Sequence, residues 1–191
     1  MGMALEAAAA EPISAAFGSC CSFVIDRLEG GGALVNDAGG ITRFGVSSKA
    51  HPDVDVLNLT RLGAFAIYHA RYWLVLQADK LPRGLDLAVY DASVNMGTAT
   101  AVRMLQRVLR VEADGIMGPE TLAAVRAFRP QSELRARYHE LRLRSYEAIV
   151  EHNPARQPDL FGWRCRVMRI ADEAGRVGGV PDPILFGSAL A

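Results

Sequence analysis

The sequence predicts a mainly α-helical protein on three observations. Apolar residues recur at three- and four-residue spacing in six or seven segments, strand-like alternation is nearly absent, and glycines and prolines punctuate the segments. The 191 residues, 50% of them hydrophobic, supply enough apolar surface for one or two compact units. The first helix is expected over residues 12 to 28, with Phe17, Cys21, Val24, Ile25 and Leu28 as its apolar stripe, and should stop at Glu29. Gly30-Gly31-Gly32 and Gly39-Gly40 then make a loop that bends back on itself and has room for a short strand or hairpin.

A second amphipathic helix starts after the capping residue Thr60, carries Leu62, Phe65, Ala66, His69, Tyr72 and Trp73, and ends before Pro82 and Gly84. Residues 85 to 97 and 99 to 110 read as two helices joined near Gly97, and Asp114-Gly115 marks a turn. Gly118-Pro119-Glu120 launches a further helix that Pro130 closes. Residues 132 to 152 place Leu134, Tyr138, Leu141, Ser145 and Ala148 inward. Arg135, Arg137, Arg142 and Arg144, interleaved with Glu133, Glu140 and Glu147, read as a solvated face. A last helix follows over about 160 to 175 and the tail after Gly178 is expected to be loose. The seam near residue 98 divides the chain into an expected first domain, 12 to 98, and second domain, 99 to 178.

Charge and cysteine content narrow the function classes. Twenty-one basic and 21 acidic residues cancel, so there is no electrostatic case for a nucleic-acid partner. The longest run without a charged residue, Pro12 to Ile25, is too short for a membrane-spanning helix, and Met1 to Ala10 has no basic segment of the secretory type. Cys20, Cys21 and Cys165 build no disulfide framework, and His51, His69, His139 and His152 lack metal-ligand spacing; neither a metal nor an organic cofactor is expected. The chain is expected to be a monomer made in the cytoplasm.

Glu29 is the first residue with a chemical reading. It ends a helix, near the negative end of the dipole, and three glycines follow that let a ligand approach the backbone closely. Both features favour a carboxyl that holds its proton, as the general acid of glycosidic cleavage must. On spacing alone the plainer reading is a solvated terminal carboxylate capped by glycine. Asp37 and Thr42 follow across Gly39-Gly40, so the loop could bring a second carboxylate and a hydroxyl opposite the first, or form only an Asx turn and a strand.

The order of these residues resembles glycoside hydrolase family 108, the lysozyme-like muramidases. The resemblance rests on Glu29-Gly30-Gly31, Asn36-Asp37-Ala38-Gly39-Gly40-Ile41-Thr42 and Gly45-Val46. It continues through Tyr72-Trp73, Leu81-Pro82 and Asp91-Ala92-Ser93-Val94-Asn95-Met96-Gly97. Leu105-Gln106, Asp114 to Leu122 and Gly162-Trp163 followed by Arg166-Val167 are similar to the peptidoglycan-binding half that accompanies this catalytic region. Together these cover about residues 17 to 170. In two places the chain departs from the pattern: Gly32 stands where the family carries an aromatic, and the loop from Glu29 to Asp37 is one residue shorter.

The resemblance implies a lysozyme-like helical catalytic region with a short hairpin, followed by a small helical peptidoglycan-binding region. It implies cleavage of the β-1,4 bond between N-acetylmuramic acid and N-acetylglucosamine, with Glu29 as acid and Asp37 and Thr42 shaping the cleft opposite. Asn95, Tyr72 and Tyr90 are candidates for glycan contact, Asn95 as an acetamido partner and the tyrosines as groove walls. Each also reads as structural: Asn95 as a helix-end amide, the tyrosines as core. The implied partner is peptidoglycan, reached at the cell wall after release, as for a phage endolysin. A lytic transglycosylase and a non-catalytic wall-binding or secretion accessory protein remain alternatives.

Overall fold

The computed structural model describes residues 13–37 and 40–181 and divides into two compact units at Val75 and Leu76. In the first unit, α1 (Ala15–Phe23) starts where the Ser14 hydroxyl accepts from the Phe17 N–H at 3.1 Å. Its last turn, Val24–Leu28, widens to π geometry, closed by Glu29 N–H donating to the Val24 carbonyl at 3.0 Å. The second helix, α2 (Arg61–Tyr68), is capped by Thr60 and also runs into a π turn, His69–Trp73. Phe17 is fully buried and its ring meets those of Phe65, His69 and Trp73 at centroid distances of 5.9, 4.8 and 5.4 Å, which packs α1 on α2. The stripe expected on α1 is therefore a packed face, whereas on α2 only Phe65, His69 and Trp73 of the expected stripe meet Phe17: Leu62 is 75% exposed, Ala66 is exposed, and the helix buries Ala64, Ile67 and Tyr68 instead. Spacing alone did not show the widened turns, which re-aim the side chains that follow.

Between the two helices lies a small antiparallel sheet in the order β1 (Leu34–Asp37), β2 (Gly40–Arg43), β3 (Val46–Ser47). Val35 pairs with Thr42, Asp37 with Gly40, and Arg43 with Val46. The β2–β3 turn is Phe44-Gly45, with φ of 53° and 78°, the left-handed pair that closes a two-residue hairpin. Arg43 donates to the carbonyls of Gly32 at 3.3 Å and Leu57 at 3.0 Å, anchoring the hairpin to both flanking loops.

The second unit contains five α-helices among the described residues: α3 (Leu85–Met96), α4 (Thr98–Leu109), α5 (Pro119–Ala127), α6 (Gln131–His152) and α7 (Gln157–Val177). Every residue from Leu85 to Ser93 is buried, so α3 is the central helix, packed by α4, α6 and α7. Gly97, at φ 88°, turns the chain directly from α3 into α4. Gln106 of α4 holds the following loop: its amide donates to Asp114 Oδ1 at 2.6 Å, to the Ile116 carbonyl at 3.0 Å and to Thr121 Oγ1 at 3.1 Å, and its carbonyl accepts from Gly115 N–H at 2.9 Å.

The expected solvated arginine face on α6 needs a correction. Arg137 and Arg144 are exposed, but Arg135 and Arg142 are buried, at 2% and 0% exposure. Arg142 lies four residues from both Tyr138 and Tyr146, on the inward face, where it donates to Asp91 Oδ2 at 2.6 Å and to the Tyr146 hydroxyl at 3.1 Å. Arg166 of α7 donates to Asp91 Oδ1 at 2.7 Å through Nη2. A fully buried carboxylate between two guanidiniums can stay ionised. Burial alone would push the Asp91 pKa up, but Arg166 and Arg142 outweigh it and hold it below the usual range.

Candidate active site

The site is built on the first unit around Glu29. The wide last turn of α1 delivers Glu29 to the rim of the hairpin, half-buried, with Gly30 and Gly31 following in left-handed conformation. Its side chain lies directly on Gly45. A Cβ at Gly45 would stand 2.6 Å from Glu29 Cγ, 2.8 Å from Cδ and 2.5 Å from the Tyr68 hydroxyl. Gly45 is thus required twice, for the hairpin's φ and for the close approach of the carboxyl. The hydroxyl of Tyr68, a buried residue of α2, donates to the Phe44 carbonyl at 3.0 Å and pins the strained Phe44-Gly45 turn beneath Glu29.

The departure at Gly32 has a structural counterpart. A Cβ there would meet the Phe44 ring at 2.8 Å, so the Phe44 ring, only 8% exposed, occupies the space an aromatic at position 32 would need.

Tyr72 sits on the π turn of α2, half-buried, its ring 5.7 Å from that of Tyr68. Its hydroxyl is 3.1 Å from His51 Nε2. Burial pushes the Tyr72 pKa up, Arg71 works against this, and the charge of Glu29 adds to it, so the phenol is protonated within electrostatic reach of the carboxyl. His51, one of four histidines without metal-ligand spacing, is 5% exposed, and its Nδ1 lies 2.9 Å from Arg71 Nη1. Arg71 in turn makes a two-point pair with Asp53, at 3.0 and 2.5 Å. No local signal marks His51, Arg71 and Asp53, because they meet only when α2 packs on the loop before it.

Thr42 lies on β2, half-buried, paired with Val35 and Ser47 and on the opposite strand face from Ile41 and Arg43. The Asp37 backbone closes the β1–β2 ladder against Gly40; its side chain and residues 38 and 39 lie outside the described residues.

The other two candidates belong to the second unit. Tyr90 is fully enclosed on α3, so its ring is core, with no face left for a sugar. Asn95 is exposed at the end of α3, and its Oδ1 accepts from the Tyr146 hydroxyl. That bond leaves the amide N–H₂ as a donor on a groove of about 550 Å³ lined by Asn95, Thr100, Tyr146, Asn153 and Trp163. Asn95 is thereby the surface end of the buried Asp91–Arg142–Tyr146 chain of hydrogen bonds. Among the described residues no helix is long and apolar enough to cross a membrane.

A helix-borne carboxyl against a short antiparallel hairpin, followed by a separate helical module, defines a lysozyme-like glycosidase. The family models agree in order and extent: "Glycosyl hydrolase 108" matches residues 23–97 and "Predicted Peptidoglycan domain" matches residues 100–168. The solved structure of Brucella abortus SagA is 30% identical, with a TM-score of 0.71 over 84% of this chain and 96% of that one. No curated protein sequence matches. The chain belongs to the glycosyl hydrolase 108 family and is a peptidoglycan hydrolase of the lysozyme-like kind.

Proposed function

We propose that the chain is an N-acetylmuramidase, hydrolysing the β-1,4 bond between N-acetylmuramic acid and N-acetylglucosamine and so opening the bacterial cell wall. The observation that carries this reading is the seating of Glu29. Its side chain is held on Gly45, over a turn pinned by Tyr68, at the mouth of a glycine loop that lets a glycan approach. Glu29 in its protonated form gives its proton to the leaving oxygen as the glycosidic bond breaks. Asp37 either activates water from the opposite face or stabilises positive charge on the sugar, and Thr42 orients the water. Carboxyls about 5–5.5 Å apart would retain the anomeric configuration and carboxyls about 6.5–9.5 Å apart would invert it. Tyr72 and Asn95 contact the glycan, and the helical module at 99 to 178 keeps the enzyme on the wall, where it acts after release.

Digestion of purified peptidoglycan by the wild type and by Glu29→Gln tests this reading, with the products read by mass spectrometry. New reducing-end muramic acid from the wild type, reduced at least about a hundredfold in Glu29→Gln, is the expected result. Anhydromuramic products would make it a lytic transglycosylase, and binding without any released sugar would make it an accessory wall-binding protein.

A further inference from the structure

The contacts behind Tyr72 determine where its hydrogen points. A guanidinium can only donate, so His51 Nδ1, 2.9 Å from Arg71 Nη1, must be the acceptor and carries no proton. Arg71 has no freedom to turn away, because Asp53 grips it at two points. The one proton of a neutral His51 is then on Nε2, which donates to the Tyr72 oxygen 3.1 Å away. With that lone pair used, the phenolic O–H points away from His51. Burial, and then the Arg71 charge, keep His51 below the ordinary imidazole range, consistent with a neutral ring. Tyr72 is placed near Glu29 by Tyr68, whose ring is 5.7 Å from that of Tyr72 and whose hydroxyl meets Gly45 at the point where the Glu29 side chain also lies.

We infer that Asp53, Arg71 and His51 form a positioning relay that makes Tyr72 an obligate hydrogen-bond donor to a glycan oxygen bound beside Glu29. The inference rests on the glycosidase reading of Glu29 and extends it to three residues with no role in that reading. Tyr72 touches the glycan; His51, Arg71 and Asp53 act through it. Hydroxyls, ring ethers and acetamido carbonyls of the substrate can all accept such a bond. A group with no available lone pair there would leave the phenolic O–H without an acceptor on binding, which selects for an oxygen-rich ligand.

The test compares Tyr72→Phe, His51→Leu and His51→Gln with the wild type, in the full chain. Affinity for soluble peptidoglycan glycan fragments is measured in the Glu29→Gln background, and hydrolysis in the Glu29 background. Gln offers an oxygen to Arg71 and an N–H to Tyr72, so it reproduces both sides of the relay, which Leu abolishes. Tyr72→Phe and His51→Leu are each expected to weaken glycan affinity about tenfold, the double variant no more than either alone, and His51→Gln to recover most of the loss. Nitrogen-15 NMR of wild-type His51 should show the neutral ring protonated at Nε2. Losses that multiply, a His51→Gln as poor as His51→Leu, or an Nδ1-protonated ring would each overturn the relay. A wild type that binds glycan but never cleaves it would overturn the muramidase reading instead, and the affinity and NMR measurements would still decide the relay.

Discussion

At the residue scale, the consequence of seating a carboxyl on a glycine is that the glycine becomes part of the site. Gly45→Ala would force a Cβ to within 2.8 Å of Glu29 Cδ in a backbone conformation that side chains rarely adopt. The left-handed conformation alone costs about 1–2 kcal/mol. Hydrolysis is expected to fall at least about tenfold more than that loss of stability explains, read as reducing-end release at a temperature well below the melting transition. Tyr68→Phe separates the two roles of this corner. It removes the donor to the Phe44 carbonyl, leaving a buried acceptor unpaired, and should lower unfolding free energy by about 1–3 kcal/mol in a denaturant titration.

At the element scale, the second unit is organised by what α3 carries inward. Asp91 joins α3 to α6 through Arg142 and to α7 through Arg166, partners 51 and 75 residues away in the chain. Asp91→Asn removes the carboxylate charge paired with Arg142, which is fully buried, and with Arg166, which is 12% exposed. Breaking a buried pair in this way costs about 3–5 kcal/mol, so the variant should shift the denaturant midpoint sharply. The chain of bonds through Tyr146 to Asn95 should loosen with it, which makes weaker binding to wall fragments the accompanying readout. Arg144 of α6 is exposed and paired with Glu140, and Arg144→Ala is expected to change stability by less than about 1 kcal/mol.

At the scale of the whole molecule, buried titratable groups set the acid limit of stability. Burial, reinforced by the Arg142 charge, pushes His139 of α6 down to about 3, so it stays neutral in the fold while it gains a proton in the unfolded chain below its ordinary value of 6.5. Stability is therefore fully present above pH about 6.5 and is lost as pH falls toward 3, at up to about 1.4 kcal/mol per pH unit. Asp91 is depressed as well, by Arg166 and Arg142 against the opposing effect of burial, and its contribution is lost in a lower window, below pH about 4. Melting temperature against pH should show both windows, and His139→Leu should flatten the part between pH 6.5 and 4.

The order of motifs shared with the family pointed to Glu29 as the candidate acid, whereas local chemistry in the sequence determined the helical class, the positions of the helices to within a turn, and the glycine loop with its hairpin. These are short-range signals: apolar spacing, capping residues and glycine punctuation act within a few residues, so they are legible before folding. Tertiary structure decided the rest. Arg135 and Arg142 look like any charged helix residues until partners dozens of residues distant make their burial tolerable, and Tyr90 and Tyr72, alike as aromatic side chains in helical segments, separate into core and site only through packing. His51, Arg71 and Asp53 acquire a role the same way. The direction of the Tyr72 hydrogen is set by which atoms can donate and which can accept across a contact, and that information exists only once the chain has folded.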